Sequence, residues 1–342
     1  MDQYEIAHRS VGTIDQSDRG TLFVGGADRA SWLQGLLTND ITALVAGRGC
    51  YAAWLTPQGR MVTDMRVLEI GDRILLDVSA SQAAALAVRL EQLVFAEDVQ
   101  VQTAALFNPV RVIGPAAPDT LATALEALSG KASVSGSALA TWVEYQNAVL
   151  SLAGGELILV RDDGLGVPGY DIYSATGDNV RRALQQAGAA RLDESIAEVL
   201  RIEAGRPLFG VDMDTDTIPL EAGIEGRAIS FSKGCYVGQE IVVRVVSRGH
   251  GRVARKLVGL VFDGVRVPRT GELLFVNGRE VGHVTSGTLS PALNRPIALG
   301  YVHRDFAEAG HRVLVGGASG EPATVAPLPF VTPVHPDRPV AK

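Results

Sequence analysis

Apolar residues along the first 250 positions recur at two different spacings, and each spacing predicts one kind of element. Within residues 81–95 they fall three or four positions apart, which indicates an amphipathic helix. Residues 61–68 and 73–78 are apolar runs separated by Gly71 and Asp72, which predicts a hairpin of two strands. The same signals predict an α+β body with further strands at 99–103, 109–113, 148–153 and 156–161, and further helices near Asp28, Asp119, Asp178 and Asp193.

The pattern changes after about residue 251, where short apolar runs alternate with turn residues. Asn277-Gly278 is a strong hairpin signal, because both residues tolerate the positive φ of a two-residue turn. Residues 251–328 are therefore predicted to form a small all-β barrel or sandwich, and the proline-rich tail 329–342 is expected to be extended and loosely held. The predicted strands lie at 257–262, 272–276, 279–285, 297–302 and 311–315.

Composition limits the classes of protein. Hydrophobic residues make up 46% of the 342 residues, which is enough for two or three domains with real cores. The net charge of −7 argues against broad nucleic-acid binding. No apolar run reaches the length of a membrane helix, and the first residues lack the features of a secretory signal. We therefore expect a cytoplasmic protein with no membrane partner.

Cysteines and histidines are too few to indicate a metal site. Cys50 and Cys235 are the two cysteines, and they are far apart in sequence. Two thiols cannot build a disulfide framework, nor by themselves a four-thiolate cluster or zinc site. The six histidines form no i,i+4 pair with a glutamate between them. No resident metal is predicted.

The most specific segment is an octapeptide at residues 233–240. Its glycines allow a tight turn beside Cys235, and a helix at 240–248 together with Lys233 would stabilise a thiolate there. The alternative is that Cys235 is a small buried hydrophobic residue, as most free cysteines are. The octapeptide reads Lys233, Gly234, Cys235, Tyr236, Val237, Gly238, Gln239, Glu240.

This octapeptide resembles the signature of the YgfZ family, folate-binding relatives of the glycine-cleavage T-protein in which the cysteine is regarded as functional. Segments 36–40, 56–64 and 200–205 resemble the N-terminal region of that superfamily. Segments 281–287 and 297–301 resemble the C-terminal barrel of aminomethyltransferases. The resemblance implies a T-protein-like folate-binding fold, with two lobes in residues 1–250 and a barrel after them, around a channel for tetrahydrofolate.

The resemblance also implies where folate would bind. Asp64 matches the second aspartate of the T-protein segment Gly-Gly-x-x-Asp-Asp, near the folate's reactive end, although it could instead face outward from an exposed strand. Asp171 matches the last glutamate of the loop that holds the pterin. Arg201 and Glu203 are two apart on a helix, so at most one of them is expected to face the pocket.

Three departures from the T-protein pattern argue against full aminomethyl transfer. The aspartate before Asp64 is replaced by Thr63. The pterin loop at 164–172 retains only one acidic residue. The T-protein's Arg-Asp pair reads Ala197-Glu198, so a cation suited to the folate's glutamate tail is missing.

A basic stretch near the end of the first region has three interpretations. It could contact tRNA phosphates or a folate polyglutamate tail, or it could be a solvated face at a domain boundary. It contains Arg244, Arg248, His250, Arg252, Arg255 and Lys256.

The sequence predicts a non-catalytic or weakly catalytic folate-binding accessory protein that assists assembly or maintenance of iron–sulfur clusters in other enzymes, including tRNA-modifying ones. Cys235 would be its functional thiol and candidate cluster ligand. Because two cysteines cannot hold a cluster, iron–sulfur proteins or assembly factors would be its partners. One alternative is a folate-dependent aminomethyltransferase or demethylase, and another is an interaction module with a vestigial pocket.

Overall fold

The computed structural model describes residues 1–104, 107, 109–130, 134–152, 155–247, 252–317 and 320–333. Within these ranges the chain forms three lobes, two built on open sheets and one on a closed barrel. The helices are Gln3–Arg9, Arg29–Leu36, Ala80–Glu91, Ala117–Ser129, Gly136–Ala140, Gly177–Gln186, Glu194–Glu203, Glu225–Ala228 and Gln239–Ser247, with a 3-10 turn at Arg304–Phe306.

The first lobe is an antiparallel five-stranded sheet. Apolar side chains from this sheet and from the helices Arg29–Leu36 and Ala80–Glu91 form one core. It includes Leu22, Leu33, Val67, Leu76 and Leu90. The hairpin predicted across Gly71 and Asp72 is confirmed, because Met61–Glu69 and Ile74–Ser79 pair antiparallel. In spatial order the strands are Arg48–Leu55, Met61–Glu69, Ile74–Ser79, Arg19–Gly25 and Gln100–Thr103.

The second lobe is a six-stranded sheet covered by the helices Ala117–Ser129 and Gly177–Gln186. Its core includes Leu121, Leu125 and Tyr170. One pair of its strands is parallel, Gly12–Asp15 with Ala190–Arg191. This pair brings together the N-terminal and C-terminal parts of the lobe's sequence. In spatial order the strands are Ala190–Arg191, Gly12–Asp15, Val110–Ile113, Gly169–Ser174, Gly155–Arg161 and Asn147–Leu152.

The third lobe confirms the predicted C-terminal barrel. Asn277 and Gly278 have φ angles of 52° and 76°, the left-handed conformation that the hairpin signal requires. The barrel is a closed ring of six antiparallel strands around a core that includes Leu260 and Phe262. In order around the ring they are Arg255–Phe262, Arg295–His303, Arg279–Ser290, Leu273–Val276, Arg312–Val315 and Glu321–Ala326.

Helix ends and the tail differ in detail from the expectations. Asp28 precedes its helix, but its carboxylate accepts a hydrogen bond from the Asp98 amide and does not cap the helix. The first tail residues are held by the structure, because the Phe330 amide donates to the Glu203 carbonyl and the ring packs on Gly259. Residues 334–342 lie outside the described part of the chain.

Candidate functional site

A cavity of about 370 Å³ lies where the two open sheets meet the helix Glu194–Glu203. Its walls come from the strands Gly12–Asp15, Arg48–Leu55 and Met61–Glu69, and from the loop after Arg161. Strands of the two lobes thus bring together polar side chains that are far apart in sequence.

Asp64 lies in the wall of this cavity on the strand Met61–Glu69, with 8% of its surface exposed. The Tyr51 hydroxyl donates a hydrogen bond of 2.6 Å to its Oδ2 atom. Burial raises the pKa of Asp64, although the Tyr51 bond and the charges of Arg19 and Arg227 oppose the shift. The alternative of an outward-facing aspartate therefore does not describe this residue.

A buried network of arginines and aspartates forms part of the cavity wall, which Arg66, Arg111 and Asp162 line. Arg66 contacts Asp77 at 2.5 Å and also pairs with Asp162 and Asp171, while Arg111 contacts Asp171 at 2.7 Å and Asp162 at 2.9 Å. Burial alone would raise the pKa of Asp162, but Arg111 and Arg66 more than offset it and lower this pKa well below its usual range.

Asp171 belongs to this network and does not line the cavity. It is fully buried, and its carboxylate accepts hydrogen bonds from Arg66, Arg111 and the Gln16 amide. A carboxylate with these three donors has little capacity left for a ligand. The structure thus corrects the expectation that Asp171 would contact folate: Arg66 and Arg111 occupy it.

Arg201 and Glu203 face different neighbours, as their spacing predicts. Arg201 lines the cavity and holds Glu198 at 2.5 Å and Asp212 at 2.7 Å. Glu203 is buried outside the cavity, where it accepts hydrogen bonds from the Tyr4 hydroxyl at 2.7 Å and from Ser290. Glu203 therefore fastens the N-terminal helix to the barrel, outside the cavity that Arg201 lines.

The octapeptide forms a tight connection beside the first lobe. The Lys233 ammonium donates to the Gln34, Leu37 and Asn39 carbonyls at 2.6–2.8 Å, which satisfies groups at the C-terminal end of a helix. Burial lowers the Lys233 pKa to about 8. Lys233 thus serves the backbone, contrary to the expectation that it would chiefly assist Cys235.

Two other octapeptide residues have structural roles. Tyr236 is buried against the Lys233 ammonium, 5.1 Å from the centre of its ring. Gly238 has a φ of +85°, and a Cβ there would lie 2.5 Å from the Thr56 carbonyl oxygen. The segment therefore needs glycine at this position.

Cys235 is exposed, so the alternative of a small buried residue is wrong for it. Gly234 and Glu240 are also exposed, and Gln239 is half-buried where the helix Gln239–Ser247 begins. That helix confirms the predicted one, but it starts four residues after the thiol. Because the effect of a helix dipole is confined to its first turn, Cys235 lies outside that effect.

Cys50 is the opposite kind of thiol. It is partly buried against the core of the first lobe, and burial raises its pKa to about 12.

The cavity residues that sequence reasoning missed include Tyr51, Tyr145, Arg206 and Arg227. Tyr145 has a φ of +63°, which is uncommon for a bulky residue and costs backbone energy. Arg227 lies over the Tyr51 ring at 4.8 Å. No periodicity or motif marks these positions, because each is brought to the cavity by the packing of separate lobes.

The other predicted features carry less chemistry. In the basic stretch, Arg255 pairs with Glu221 at 3.0 Å and stacks on Tyr301, while Arg248 and His250 lie outside the described residues. Within the described ranges no group of three or more histidine, cysteine, aspartate or glutamate side chains is arranged to hold a metal. None of the helices described there is both long and apolar enough for a bilayer.

Comparison with known proteins identifies the class. The GCVT N-terminal domain matches residues 2–233, and the glycine cleavage T-protein C-terminal barrel domain matches residues 255–332. The chain therefore belongs to the glycine-cleavage T-protein (aminomethyltransferase-like) family. This is a family of enzymes that use tetrahydrofolate, and the expectation of a T-protein-like fold is confirmed.

Individual relatives support the same class. The aminomethyltransferase of Rubrobacter xylanophilus is 30% identical over 96% of this chain and 85% of its own length. Those of Streptomyces avermitilis and Bacillus subtilis are 31% identical, over 96% and 90% of this chain and 88% and 84% of theirs. The crystal structure of aminomethyltransferase T from Bartonella henselae aligns with a TM-score of 0.85 over 97% of this chain and 89% of that one; at 23% identity it shows the fold alone.

These relatives overturn the main functional expectation. The sequence predicts an accessory role in iron–sulfur assembly, but the relatives that match 90–96% of this chain are aminomethyltransferases, the class given as the alternative. Most of the octapeptide 233–240 has a structural role, through Lys233, Tyr236 and Gly238.

Proposed function

We propose that the protein is a tetrahydrofolate-dependent one-carbon transferase of the aminomethyltransferase type, and that the cavity at Asp64 is its folate site. The observation that supports this most directly is the Asp64–Tyr51 pair. It combines a buried carboxylate of raised pKa with a fixed hydroxyl donor in the wall of a cavity. A perturbed acid in a cavity is typical of an enzyme site.

The residues of the cavity fit a reduced folate. A volume of about 370 Å³ lies within the range of small-molecule sites. The tyrosines Tyr51 and Tyr145 offer aromatic faces, and Asp64 offers a carboxylate for the donor groups of a pterin or its amine. Asp171 is excluded from this role by its arginine partners, and the same two arginines hold Asp162, so Asp64 is the carboxylate that we propose for the pterin or its amine.

In the proposed reaction, the bound folate and the protein have separate roles. Tetrahydrofolate, when bound, supplies the amine nitrogen that accepts the one-carbon unit. Because its pKa is raised, Asp64 can hold a proton closer to neutral pH than an exposed aspartate can, and exchange it with a bound amine. Tyr51 fixes the orientation of that carboxylate, and the cavity walls limit access of water to it.

We place the chain, as a finer proposal, in the YgfZ-like branch of the family on the strength of the octapeptide 233–240. The departures at Thr63, 164–172 and Ala197-Glu198 support a donor other than the carrier protein of glycine cleavage. Reconstitution with the other components of that system is the test. We expect turnover well below that of a genuine T-protein, and comparable turnover would contradict this finer assignment.

Calorimetric titration with tetrahydrofolate tests the main proposal. We expect saturable binding by the wild type, and binding about tenfold to a hundredfold weaker in Asp64→Asn, since a charged hydrogen bond is lost. Asp178→Asn is the matched control, because the Asp178 side chain is 93% exposed on another lobe. A wild-type protein that gives no heat at any folate concentration would refute the folate site.

A further inference from the structure

The helix Ala80–Glu91 buries one face against the first sheet and exposes apolar residues on the other. The residues that pack in the core of the first lobe recur three or four positions apart: Ala83, Leu86, Ala87 and Leu90. On the opposite face Ala84 is exposed, and Val88 is 55% exposed. The helix thus has a solvent face that is not polar throughout.

Phe95 follows this helix and extends the exposed face. It is 85% exposed, more than any other aromatic side chain among the described residues. Its neighbours Leu93 and Val94 pack against the core of the first lobe, so they and not Phe95 serve the fold. The Leu93 and Val94 amides donate to carbonyls three residues back, which continues the helical winding. Phe95 therefore lies on the same side as Val88, seven positions earlier.

The backbone that carries Phe95 is held in place by side chains. The Glu97 carboxylate accepts a hydrogen bond of 2.9 Å from the Phe95 amide. The Asp98 amide donates to the Asp28 carboxylate at 2.9 Å, and the Asp98 carboxylate accepts from the Ala27 amide at 3.0 Å. An aromatic ring presented on a fixed backbone loses little conformational freedom when a partner covers it, which favours a strong binding contact.

The charge around Phe95 is of one sign. Residues 90–110 contain three acids and no lysine, arginine or histidine. The acids are Glu91, Glu97 and Asp98, and all three are exposed. Backbone hydrogen bonds, first that of the Phe95 amide, lower the pKa of Glu97, so its carboxylate is charged at neutral pH. The Arg89 guanidinium lies 4.8 Å over the Trp54 ring. A partner with basic side chains complements this surface.

The shape of the face fits another helix. Ala84 is small, so a second helix can approach to the usual interaxial distance of about 8–10 Å. From Ala84 to Phe95 the face runs for about 16 Å along the axis, which corresponds to about three turns of a partner helix.

We propose that this face, formed by Ala84, Val88, Glu91, Phe95 and Glu97 and named here the Phe95 surface, docks a partner protein through an amphipathic helix whose apolar face is flanked by lysine or arginine. Apolar side chains of the partner cover Val88 and Phe95, and its basic side chains pair with Glu91 and Glu97.

The Phe95 surface and the proposed folate cavity use opposite faces of the first sheet. Side chains alternate along the strand Met61–Glu69: Met65 and Val67 belong to the core under the helices, whereas Asp64 and Arg66 line the cavity. A helix docked on the Phe95 surface therefore leaves the cavity open.

Fluorescence anisotropy with two labelled amphipathic peptides tests the proposal. One peptide has leucine on one helical face and lysine on the other, and the second has glutamate in place of every lysine. We expect saturable binding of the Leu–Lys peptide and at least about tenfold weaker binding of the Leu–Glu peptide. Phe95→Ser should weaken the Leu–Lys peptide at least about tenfold, and Val88→Ser by a smaller factor. Val265→Ser is the matched control, because Val265 is 94% exposed in the barrel lobe.

Removal of the acids gives an independent measurement. Glu91→Gln combined with Glu97→Gln should weaken Leu–Lys binding and flatten its dependence on salt, while a glutamine at 97 still offers an oxygen to the Phe95 amide. Asp72→Asn combined with Asp178→Asn removes the same charge from side chains that are 73% and 93% exposed elsewhere, and should change binding little. Circular dichroism melts show that each variant is folded.

Several results would overturn the proposal. Equal binding of the two peptides, or Leu–Lys binding that survives Phe95→Ser, removes the docking site. A dimer in sedimentation that Phe95→Ser dissociates would mean that a second copy of this chain occupies the surface. Binding to phosphatidylglycerol vesicles that Phe95→Ser abolishes would mean that a membrane does. The Phe95 surface does not depend on the folate proposal: a wild type that binds the Leu–Lys peptide but no tetrahydrofolate refutes the folate site alone.

Discussion

The octapeptide 233–240 and the cavity wall at Asp64 use their polar groups in opposite ways. In the octapeptide, the Lys233 ammonium is bonded to three carbonyls of the protein itself. In the cavity wall, Arg227 lies over the Tyr51 ring, and Asp64 holds a raised pKa. A charged group that is bonded to the protein's own backbone supports the architecture, whereas a buried acid of raised pKa beside a cavity is typical of a ligand site.

The difference explains why the more recognisable motif was the less informative one. Lys233 donates hydrogen bonds to backbone carbonyls in residues 34–39, and Gly238 packs closely against the Thr56 carbonyl. Local backbone geometry therefore fixes the identities of both residues. No sequence pattern marks Arg206 or Arg227. Their positions become apparent only in the structure, where both residues line the proposed folate cavity. The buried arginines and aspartates of the cavity wall combine both properties, because they are paired with one another and also line the cavity.

Removal of Arg66 should have the largest effect on stability. Arg66→Ala leaves Asp77, Asp162 and Asp171 short of a shared cation in a buried site, which typically costs about 3–5 kcal/mol. Urea unfolding followed by circular dichroism measures the loss. The exposed arginine variant Arg244→Ala should change stability by less than about 0.5 kcal/mol. A loss as small for Arg66→Ala would show that the network is not a stabilising unit.

Gly238→Ala should be the next most damaging change, and it tests whether the octapeptide is architecture. The added methyl group meets the Thr56 carbonyl at 2.5 Å, and φ is +85°, so we expect a loss of about 1–3 kcal/mol. Gly234→Ala is the matched control within the same octapeptide, because a Cβ there meets nothing within 4 Å. Thermal melts of the two variants should differ clearly; equal melting temperatures would remove the structural role.

Most of the fold could be predicted from the sequence, because the strands, the helices and the barrel hairpin at Asn277-Gly278 depend on local periodicity and turn chemistry. The sequence also supplied Asp64, through resemblance. It could not show that Asp171 would be taken by Arg66 and Arg111, because those three side chains come from different strands. Arg227 was missed for the same reason.

Asp64 should give stability an unusual dependence on pH. Its pKa is raised in the folded protein, so between the unfolded pKa of about 4 and the folded value the unfolded chain loses its proton first. Wild-type stability therefore falls as pH rises through that window, relative to Asp64→Asn. Urea midpoints of the two proteins from pH 4 to pH 7 measure this difference.

Asp77 supplies the control of opposite sign. Burial opposes ionisation of Asp77, but Arg19 and Arg66 overcome it and lower its pKa. Its stabilising contribution is complete above the unfolded pKa and is lost as pH falls through the folded one. Relative to Asp77→Asn, the wild type should therefore weaken on acidification. The same direction for both aspartates would mean that the environment assigned to Asp64 is incorrect.

The smallest effect on stability is expected at Cys235, and it sharpens the comparison with Cys50. Cys235 is exposed, so Cys235→Ser should change stability by less than about 0.5 kcal/mol and leave tetrahydrofolate binding unchanged. Cys50 is held in the first core with its pKa raised to about 12, so its thiolate is scarce at neutral pH. Alkylation of the two single-cysteine variants with iodoacetamide should therefore modify Cys235 much faster. If Cys50 reacted as fast as Cys235, the burial that separates the two thiols would be wrong; if Cys235→Ser abolished folate binding, the octapeptide would belong to the site and not only to its support.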